Sequence, residues 1–248
     1  MILLGLGFTG FRLAKRLLAR GEIVYGVARE IHRFRALQAV GLRLNGFDVA
    51  GLPKHSTIIH SIPPLSDLHS FIERLEPRRI VYVSATSVYG DSVDVDETTQ
   101  PQPSGEKSVA RYEEEQWLMR GGWSNLIVRS AAIYGPGRGV QEKVREGKLP
   151  RGAGVVSRIH VDDLAAILEA GVYSGLEGAW PLADDRPCAS EEIAAFCARL
   201  MRLPPAYPLS PTFPVAGRRV DGRKIRERLG VALRYPTYES GILASLAH

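Results

Sequence analysis

Six residues near the start of the chain could hold a phosphate group. They read Gly-Leu-Gly-Phe-Thr-Gly from Gly5 to Gly10, which is the G-x-G-x-x-G spacing of dinucleotide-binding turns. Gly5 permits a tight turn, Gly7 lets the backbone approach a pyrophosphate, and Gly10 lets a helix pack closely on a strand. The backbone N–H groups of the turn, with Phe8 and Thr9 between the glycines, would then meet the phosphate charge at the positive end of the helix. The alternative is a glycine turn with a purely structural role.

A basic residue stands where the second strand of such a unit would end. Arg29 follows Val27-Ala28, about twenty residues after Gly10. A carboxylate here would bind the ribose hydroxyls of NAD, whereas a guanidinium matches the charge of a 2′-phosphate and can form paired hydrogen bonds to it. Arg33 could assist from one helical turn further on, and the nearby carboxylate is Glu30. The sequence therefore predicts NADP(H), with NAD less favoured; the alternative is that Arg29 is a surface residue at a strand end.

The elements that must position these residues alternate between strand and helix. Helical spacing occurs around residues 11–18, 65–75, 109–117 and 162–170, with Gly21 and Gly121 placed to end the first and third helices. Short apolar runs lie between or beside these segments and are mostly continuous, as in strands buried on both faces of a parallel sheet. The runs are Ile2–Leu6, Ile23–Ala28, Thr57–Ile62, Ile80–Ser84 and Leu126–Val128. This alternation predicts an α/β fold of the Rossmann type, with a doubly wound parallel sheet.

The composition excludes several classes of protein. With 45% hydrophobic and 24% charged residues the chain resembles an ordinary globular protein, and it has no apolar stretch near the ~20 residues of a membrane helix. Two cysteines, Cys188 and Cys197, without a CxxC pair or a histidine cluster, argue against a metal site or a disulfide scaffold and favour the cytoplasm. The net charge of +5 is spread along the chain without a nucleic-acid-binding motif, so we expect anionic small molecules rather than nucleic acid as partners.

Several segments together resemble the extended and atypical short-chain dehydrogenase/reductases, the NAD-dependent epimerase/dehydratase family. The similar segments cover nearly the whole chain in the family's order: the glycine turn and residues 80–90, 128–137, 158–165 and 180–192. The resemblance implies that Asp48 and Val49 flank the adenine, and that Ser61-Ile62-Pro63 passes along the phosphates and ribose of the cofactor.

The usual catalytic residues of that family are missing from their places. The family uses a tyrosine followed four residues later by a lysine, and none of the tyrosines here has a lysine at that spacing. The corresponding places hold Lys107 and Arg111, and the place of the strand serine or threonine holds Ala85. Ser87, on the same strand face as Ala85, and Tyr134, in the loop beside the nicotinamide, are further candidates for chemistry. For Ser87, Lys107, Arg111 and Tyr134 alike, the alternative is a structural or surface role.

Two functions remain open. One is an NADP(H)-dependent oxidoreductase or epimerase-like enzyme with a non-standard active site; the other is an inactive NADP(H)-sensing protein that acts through a protein partner.

We divide the chain into a Rossmann domain (residues 1–183, with a loop insertion at about 137–156) and a small C-terminal substrate region (residues 184–248), in which Leu203–Pro214 is a proline-rich linker or extended segment. The substrate is an unidentified small molecule. Arg158, Arg218 and Arg219 could bind an anionic substrate; the alternative is that each is a solvated surface residue. Family analogy implies a homodimer through the helix at 106–120.

Overall fold

The computed structural model describes residues 1–64, 68–147, 154–203 and 217–247. No helix in these ranges is both long enough and apolar enough to cross a membrane. The elements are β1 (Ile2–Leu4), α1 (Phe8–Ala19), β2 (Tyr25–Val27), α2 (Arg35–Gln38), β3 (Arg43–Asn45), β4 (Thr57–His60), α3 (Leu68–Arg74), β5 (Arg79–Ala85), β6 (Asp94–Val95), α4 (Glu106–Arg120), β7 (Ser124–Ser130), β8 (Ala132–Tyr134), α5 (Val140–Arg145), β9 (Val155–Val156), β10 (Arg158–His160), α6 (Val161–Tyr173), β11 (Gly178–Leu182), β12 (Cys188–Ala189), α7 (Ser190–Leu200), β13 (Arg219–Val220), α8 (Arg223–Leu229) and α9 (Tyr238–Leu246).

A parallel sheet forms the centre of the molecule. In the described residues it has seven strands in the order β11-β7-β5-β4-β1-β2-β3. The chain builds outward from β1 through β2 and β3, then returns to β4 on the other side and continues in the opposite direction. The order therefore reverses between β1 and β4, where ligands of open α/β sheets bind outside the carboxyl ends of the strands. The predicted Rossmann-type fold is confirmed.

The two edge strands were not predicted. One edge is β3, which is three residues long and begins with the exposed Arg43. The other edge is β11, which contains Pro181 and pairs along β7, with Pro181 opposite Arg129. β3 has a single apolar residue, and β11 contains a proline, which is atypical of a strand interior and is tolerated at an edge. All five predicted strands are present, although β1, β2 and β4 are shorter than the apolar runs and β7 is longer.

The sheet separates two apolar cores. Along β5, Val81 and Val83 pack into the core beneath α1 and α6, while Ile80 and Tyr82 pack into the core beneath α3 and α4. This alternation is the two-residue period of a strand buried on both faces. The apolar face of α1, which includes Leu13, packs into the first core. Gly21 follows the end of α1 in a left-handed conformation (φ 80°).

A third apolar cluster lies away from the sheet. Tyr134 on β8 packs there with Cys188, Ile193 and Cys197 from the α7 region and with Tyr238 at the start of α9. Both cysteines are buried free thiols. The C-terminal region thus shares a core with the segment that follows β7. Most of the proline-rich stretch that we expected to be a linker, from residue 204 onward, lies outside the described residues.

Candidate active site

The glycine turn joins β1 to α1 at the point where the strand order reverses. The Gly5 N–H donates a hydrogen bond to the Val27 carbonyl (3.0 Å), and Gly5 has a φ of 93°, which favours glycine. A Cβ atom on Gly10 would lie 2.0 Å from the Gly5 carbonyl oxygen, so the helix could not pack this closely with a side chain there. A Cβ on Gly7 would meet no heavy atom within 4 Å, which leaves open space in front of the turn. The three glycines thus have the three roles that the motif requires.

The N-terminus of α1 is free to meet an anion. Gly7 caps the helix without a side-chain hydrogen bond, and the first turn contains no acidic residue. The first N–H groups of a helix have no partner within it, and here they belong to Phe8, Thr9 and Gly10. The guanidinium of Arg138 lies over the Phe8 ring, 5.3 Å from its centroid, and adds positive charge beside the turn.

A cleft of about 510 Å³ opens in front of this turn. Its walls come from the glycine turn and from the segments that follow β4, β5 and β7, and they include nine predicted site residues: Gly7, Phe8, Thr9, Gly10, Ser61, Ile62, Pro63, Ser87 and Arg111. The charged groups among the described lining residues are Arg111, Arg138 and Arg218, with no carboxylate. A cleft with this lining attracts anions.

Ser61 ties the segment after β4 to the glycine turn. Its hydroxyl lies 3.0 Å from both the Leu4 and the Gly5 carbonyl oxygens and can donate its one proton to either of them. The next residue, Ile62, donates its N–H to Nδ1 of the buried His60 (3.3 Å). Burial lowers the pKa of His60, so its neutral ring supports the Ile62 backbone at the wall of the cleft.

The residues predicted at the adenine end do not line this cleft. Arg29 is exposed just beyond β2, next to the strand whose Val27 carbonyl accepts the Gly5 N–H. Asp48 accepts a hydrogen bond from the Ala50 N–H (3.0 Å), and Val49 packs against the core beneath α3 and α4. Their contacts with a nucleotide stay predictions.

The four catalytic candidates separate into two groups. Ser87 and Arg111 line the cleft, and the Arg111 guanidinium contacts the Val83 carbonyl at 3.4 Å. Lys107 is exposed on α4 and does not line the cleft. Tyr134 is buried in the third apolar cluster, where its ring packs edge-on against His160 and its hydroxyl lies 3.5 Å from the Thr237 carbonyl. Burial raises the pKa of Tyr134 far above its usual value, so this phenol stays protonated near neutral pH.

Sequence reasoning missed a buried ion pair behind the cleft. Arg129 on β7 donates hydrogen bonds to both carboxylate oxygens of Glu115 on α4, at 2.8 to 3.2 Å, and one to the Tyr89 hydroxyl (3.1 Å). The hydroxyl of Ser84, a cleft residue, also donates to Glu115. An arginine within an otherwise apolar buried strand was the available signal, because such a charge requires a partner.

Arg218 positions one wall of the cleft. Its guanidinium donates to the backbone carbonyls of Ser92 (3.0 Å), Thr86 (2.6 Å) and Gly90. It therefore holds the loop after β5, although we had considered it a contact for an anionic substrate. Arg219 is exposed and lies 3.7 Å from Asp94.

One buried carboxyl group should make stability depend on pH. Asp184, just after β11, is 3% exposed; its Oδ1 accepts the Arg186 N–H (3.2 Å), and its Oδ2 has no partner among the described residues. Burial raises the pKa of Asp184 to about 7. Between the ordinary pKa of an aspartate and about 7, the folded protein keeps a proton that the unfolded chain has released. Stability is therefore lost as the pH rises through this window.

Asp184→Asn should remove this loss. We expect the variant's stability advantage over the natural protein to grow by about 2–3 kcal/mol between pH 5 and pH 7.5, measured by urea unfolding at each pH. The matched control is Asp185→Asn, since Asp185 is half-exposed and pairs with Arg226 at the surface. Its effect should stay small at both pH values. An equal advantage of Asp184→Asn at pH 5 and pH 7.5 would mean that Asp184 keeps an ordinary pKa.

The sequence of this chain is similar to that of known proteins. No family model matches the chain. Protein YeeZ of Escherichia coli strain K12 is 26% identical in an alignment of 268 residues that covers 94% of this chain and 95% of YeeZ.

Solved structures share the fold over nearly the full length. A protein of unknown function from Silicibacter pomeroyi has a TM-score of 0.85 at 29% identity, covering 99% of this chain and 97% of that one. A proposed NAD-dependent epimerase/dehydratase from Methylobacillus flagellatus has a TM-score of 0.80 at 27% identity, with the same coverage of 99% and 97%. WbmG of Bordetella bronchiseptica, solved with NAD and UDP, has a TM-score of 0.81 over 99% and 93% of the chains, and at 16% identity that likeness concerns the fold alone. Its strand order, its glycine turn and these neighbours show a Rossmann fold, and the chain is similar over nearly its full length to a proposed NAD-dependent epimerase/dehydratase.

Proposed function

We propose that this protein is an NADP(H)-binding oxidoreductase of the epimerase/dehydratase type, with a small-molecule substrate and a non-standard active site. The observation that carries the proposal is the glycine turn, whose free N–H groups open into a cleft lined by three arginines and no described carboxylate. The open space in front of Gly7 fits the close approach of a pyrophosphate. A nicotinamide cofactor, when bound, supplies hydride transfer. The WbmG structure contains NAD, which supports a dinucleotide at this edge of the sheet.

The preference for NADP(H) rests on the end of β2. Arg29 occupies the position after that strand and is exposed to a ligand. The adjacent carboxylate, Glu30, lies 3.5 Å from Arg33, so it is paired with a cation of its own segment. A 2′-phosphate would meet an unpaired guanidinium at Arg29, because no ion pair joins Arg29 to a described acidic residue.

The cleft residues can orient a substrate, but they differ from a usual acid/base set. Arg111 lines the cleft without a described carboxylate partner and can hold a negative charge, and the Ser87 hydroxyl can form a hydrogen bond. We propose that these two residues act where the family's tyrosine and lysine would. Lys107 and Tyr134 would need to move to reach the same space. The C-terminal region after residue 183 would complete the substrate site.

The lining of the cleft also favours a second candidate, an NADP(H)-sensing protein without turnover. Its described residues include no histidine, cysteine, lysine, tyrosine or carboxylate, which are the side chains that most often move protons in enzymes. A protein that only binds the cofactor would tolerate this loss. Turnover of any substrate would exclude the sensor.

Fluorescence titration with NADPH, NADP⁺, NADH and NAD⁺ tests the cofactor. We expect NADP(H) to bind at least about tenfold more tightly than NAD(H), and Arg29→Ala to abolish most of this difference, because one charged hydrogen-bonded pair contributes ~1.5–3 kcal/mol. Arg35→Ala is the matched control: it removes the same charge from an exposed residue of α2. Equal affinity for the two cofactors would refute the NADP(H) preference, and absence of all binding would refute the proposed function.

A further inference from the structure

A smaller cavity adjoins the cleft behind β8. It has a volume of about 300 Å³ and shares Ala132, Ile133 and Arg138 with the cleft, so the two spaces meet along one wall. We call it the side pocket. Its other walls come from α5, β9, α7 and α9, which places it between the segment that follows β7 and the C-terminal region.

The side pocket has a largely apolar surface, to which Tyr134, Gln141 and Ser190 add polar groups. Ile133, Val140, Val156, Ile193 and Ile242 all line it. Such a surface suits the aliphatic or aromatic body of a ligand.

A buried arginine stands in this aliphatic wall. Arg158 is 6% exposed and donates to the Val156 carbonyl (2.7 Å), the Cys188 carbonyl (2.9 Å) and the Ser190 hydroxyl (2.7 Å). These acceptors are all neutral, and no described carboxylate lies within ion-pair distance of Arg158. A guanidinium has five N–H groups, so Nε–H and one Nη2–H are left without an acceptor among the described residues. A buried charge of this kind is costly unless an anion compensates it.

The remaining charges of the side pocket have the same sign. Arg138 and Lys143 line it and are exposed to solvent, and none of the described lining residues is acidic. The pocket therefore combines an aliphatic surface with a buried cation and two exposed ones.

We propose that the side pocket binds an organic acid, with its apolar body against the aliphatic wall and its acidic group on Arg158. The Ala132–Ile133 wall would then present the rest of the molecule to the cleft. This inference rests on the proposed function, of which it names the substrate class.

Matched probes separate the parts of this proposal. Calorimetry with 4-phenylbutyrate, its uncharged amide and inorganic phosphate should give binding of the acid, at least about tenfold weaker binding of the amide, and no competition by phosphate. The titrations are made with and without saturating NADPH. Because protein residues alone line the side pocket, the acid should bind in both conditions. Binding of the acid and the amide with equal affinity, or no binding of the acid in either condition, would overturn the inference. If NADPH still bound in that case, the proposed function would stand without it.

Two variants locate the binding. Arg158→Gln should weaken binding of the acid at least about tenfold and leave binding of the amide unchanged. Because Arg158 also holds three backbone or side-chain groups, a second variant, Val140→Phe, fills the half-buried rim of the pocket instead. It should abolish binding of the acid while NADPH still binds. Val40→Phe, at an exposed position outside the pocket, is its control. Unchanged binding of the acid by Val140→Phe would place the acid elsewhere and overturn the proposal.

Discussion

Glu115→Ala should lower the free energy of unfolding by about 3–5 kcal/mol, the cost of removing one partner of a buried ion pair. Glu115 is fully buried and Arg129 is 6% exposed, so the guanidinium would remain in the interior without a counter-charge. The Ser84 hydroxyl would lose its acceptor as well. Urea unfolding measures the change directly.

Two further variants test the cause of this loss. Glu113→Ala removes the same charge from an exposed position of α4 and should change stability by less than about 0.5 kcal/mol. Replacing both partners by apolar residues, Glu115→Leu with Arg129→Met, should recover much of the stability, since no charge is then left unpaired. If Glu115→Ala were as mild as Glu113→Ala, the ion pair would contribute little to the fold.

Gly10→Ala should weaken NADPH binding by about a hundredfold or more. The added methyl group would lie 2.0 Å from the Gly5 carbonyl oxygen, so α1 must move away from β1 and carry its N–H groups with it. Loss of one or two charge-assisted hydrogen bonds to the phosphates, at ~1.5–3 kcal/mol each, gives a factor of about this size. The titration described for Arg29→Ala measures the effect, and circular dichroism shows whether the fold remains.

The other glycines of the chain provide the comparison. Gly175→Ala places a methyl group in open space between α6 and β11 and should leave both stability and NADPH binding unchanged. Gly7→Ala also meets no protein atom, but its methyl group would occupy the space expected for the pyrophosphate, so it should reduce binding without loss of stability. Normal NADPH binding by Gly10→Ala would show that the turn does not hold the cofactor.

The parts of the fold that the sequence predicts are those with a strong local pattern. The continuous apolar run of β5 predicts a buried strand, and the apolar face of α1 predicts a helix packed on the sheet. The edge strand β3 has three residues, one of them an exposed arginine, and such a segment becomes a strand only through pairing with β2. Tertiary pairing of this kind leaves no local signal.

The site divides in the same way. The glycine turn was predicted from its spacing after an apolar strand, and Ser61 from the family resemblance. The pairing of Glu115 with Arg129 depends on how α4 crosses β7, and no spacing in the sequence encodes that crossing. The position of Tyr134 was also not encoded locally: the pairing of β8 with β10 directs this side chain into the third apolar cluster, beside the side pocket, and its catalytic role stays a prediction.

The two borders of the sheet also affect how copies of the protein meet. An exposed strand border is a template on which another chain can add, which is the first step of fibril growth. On the β11 side, Pro181 has no N–H to offer an incoming strand, and the guanidinium of Arg228 lies over the neighbouring Trp180 ring. On the β3 side, the ladder is only three residues long and starts with a charged side chain. Both edge strands are therefore unfavourable sites for the addition of a strand from another copy of the protein.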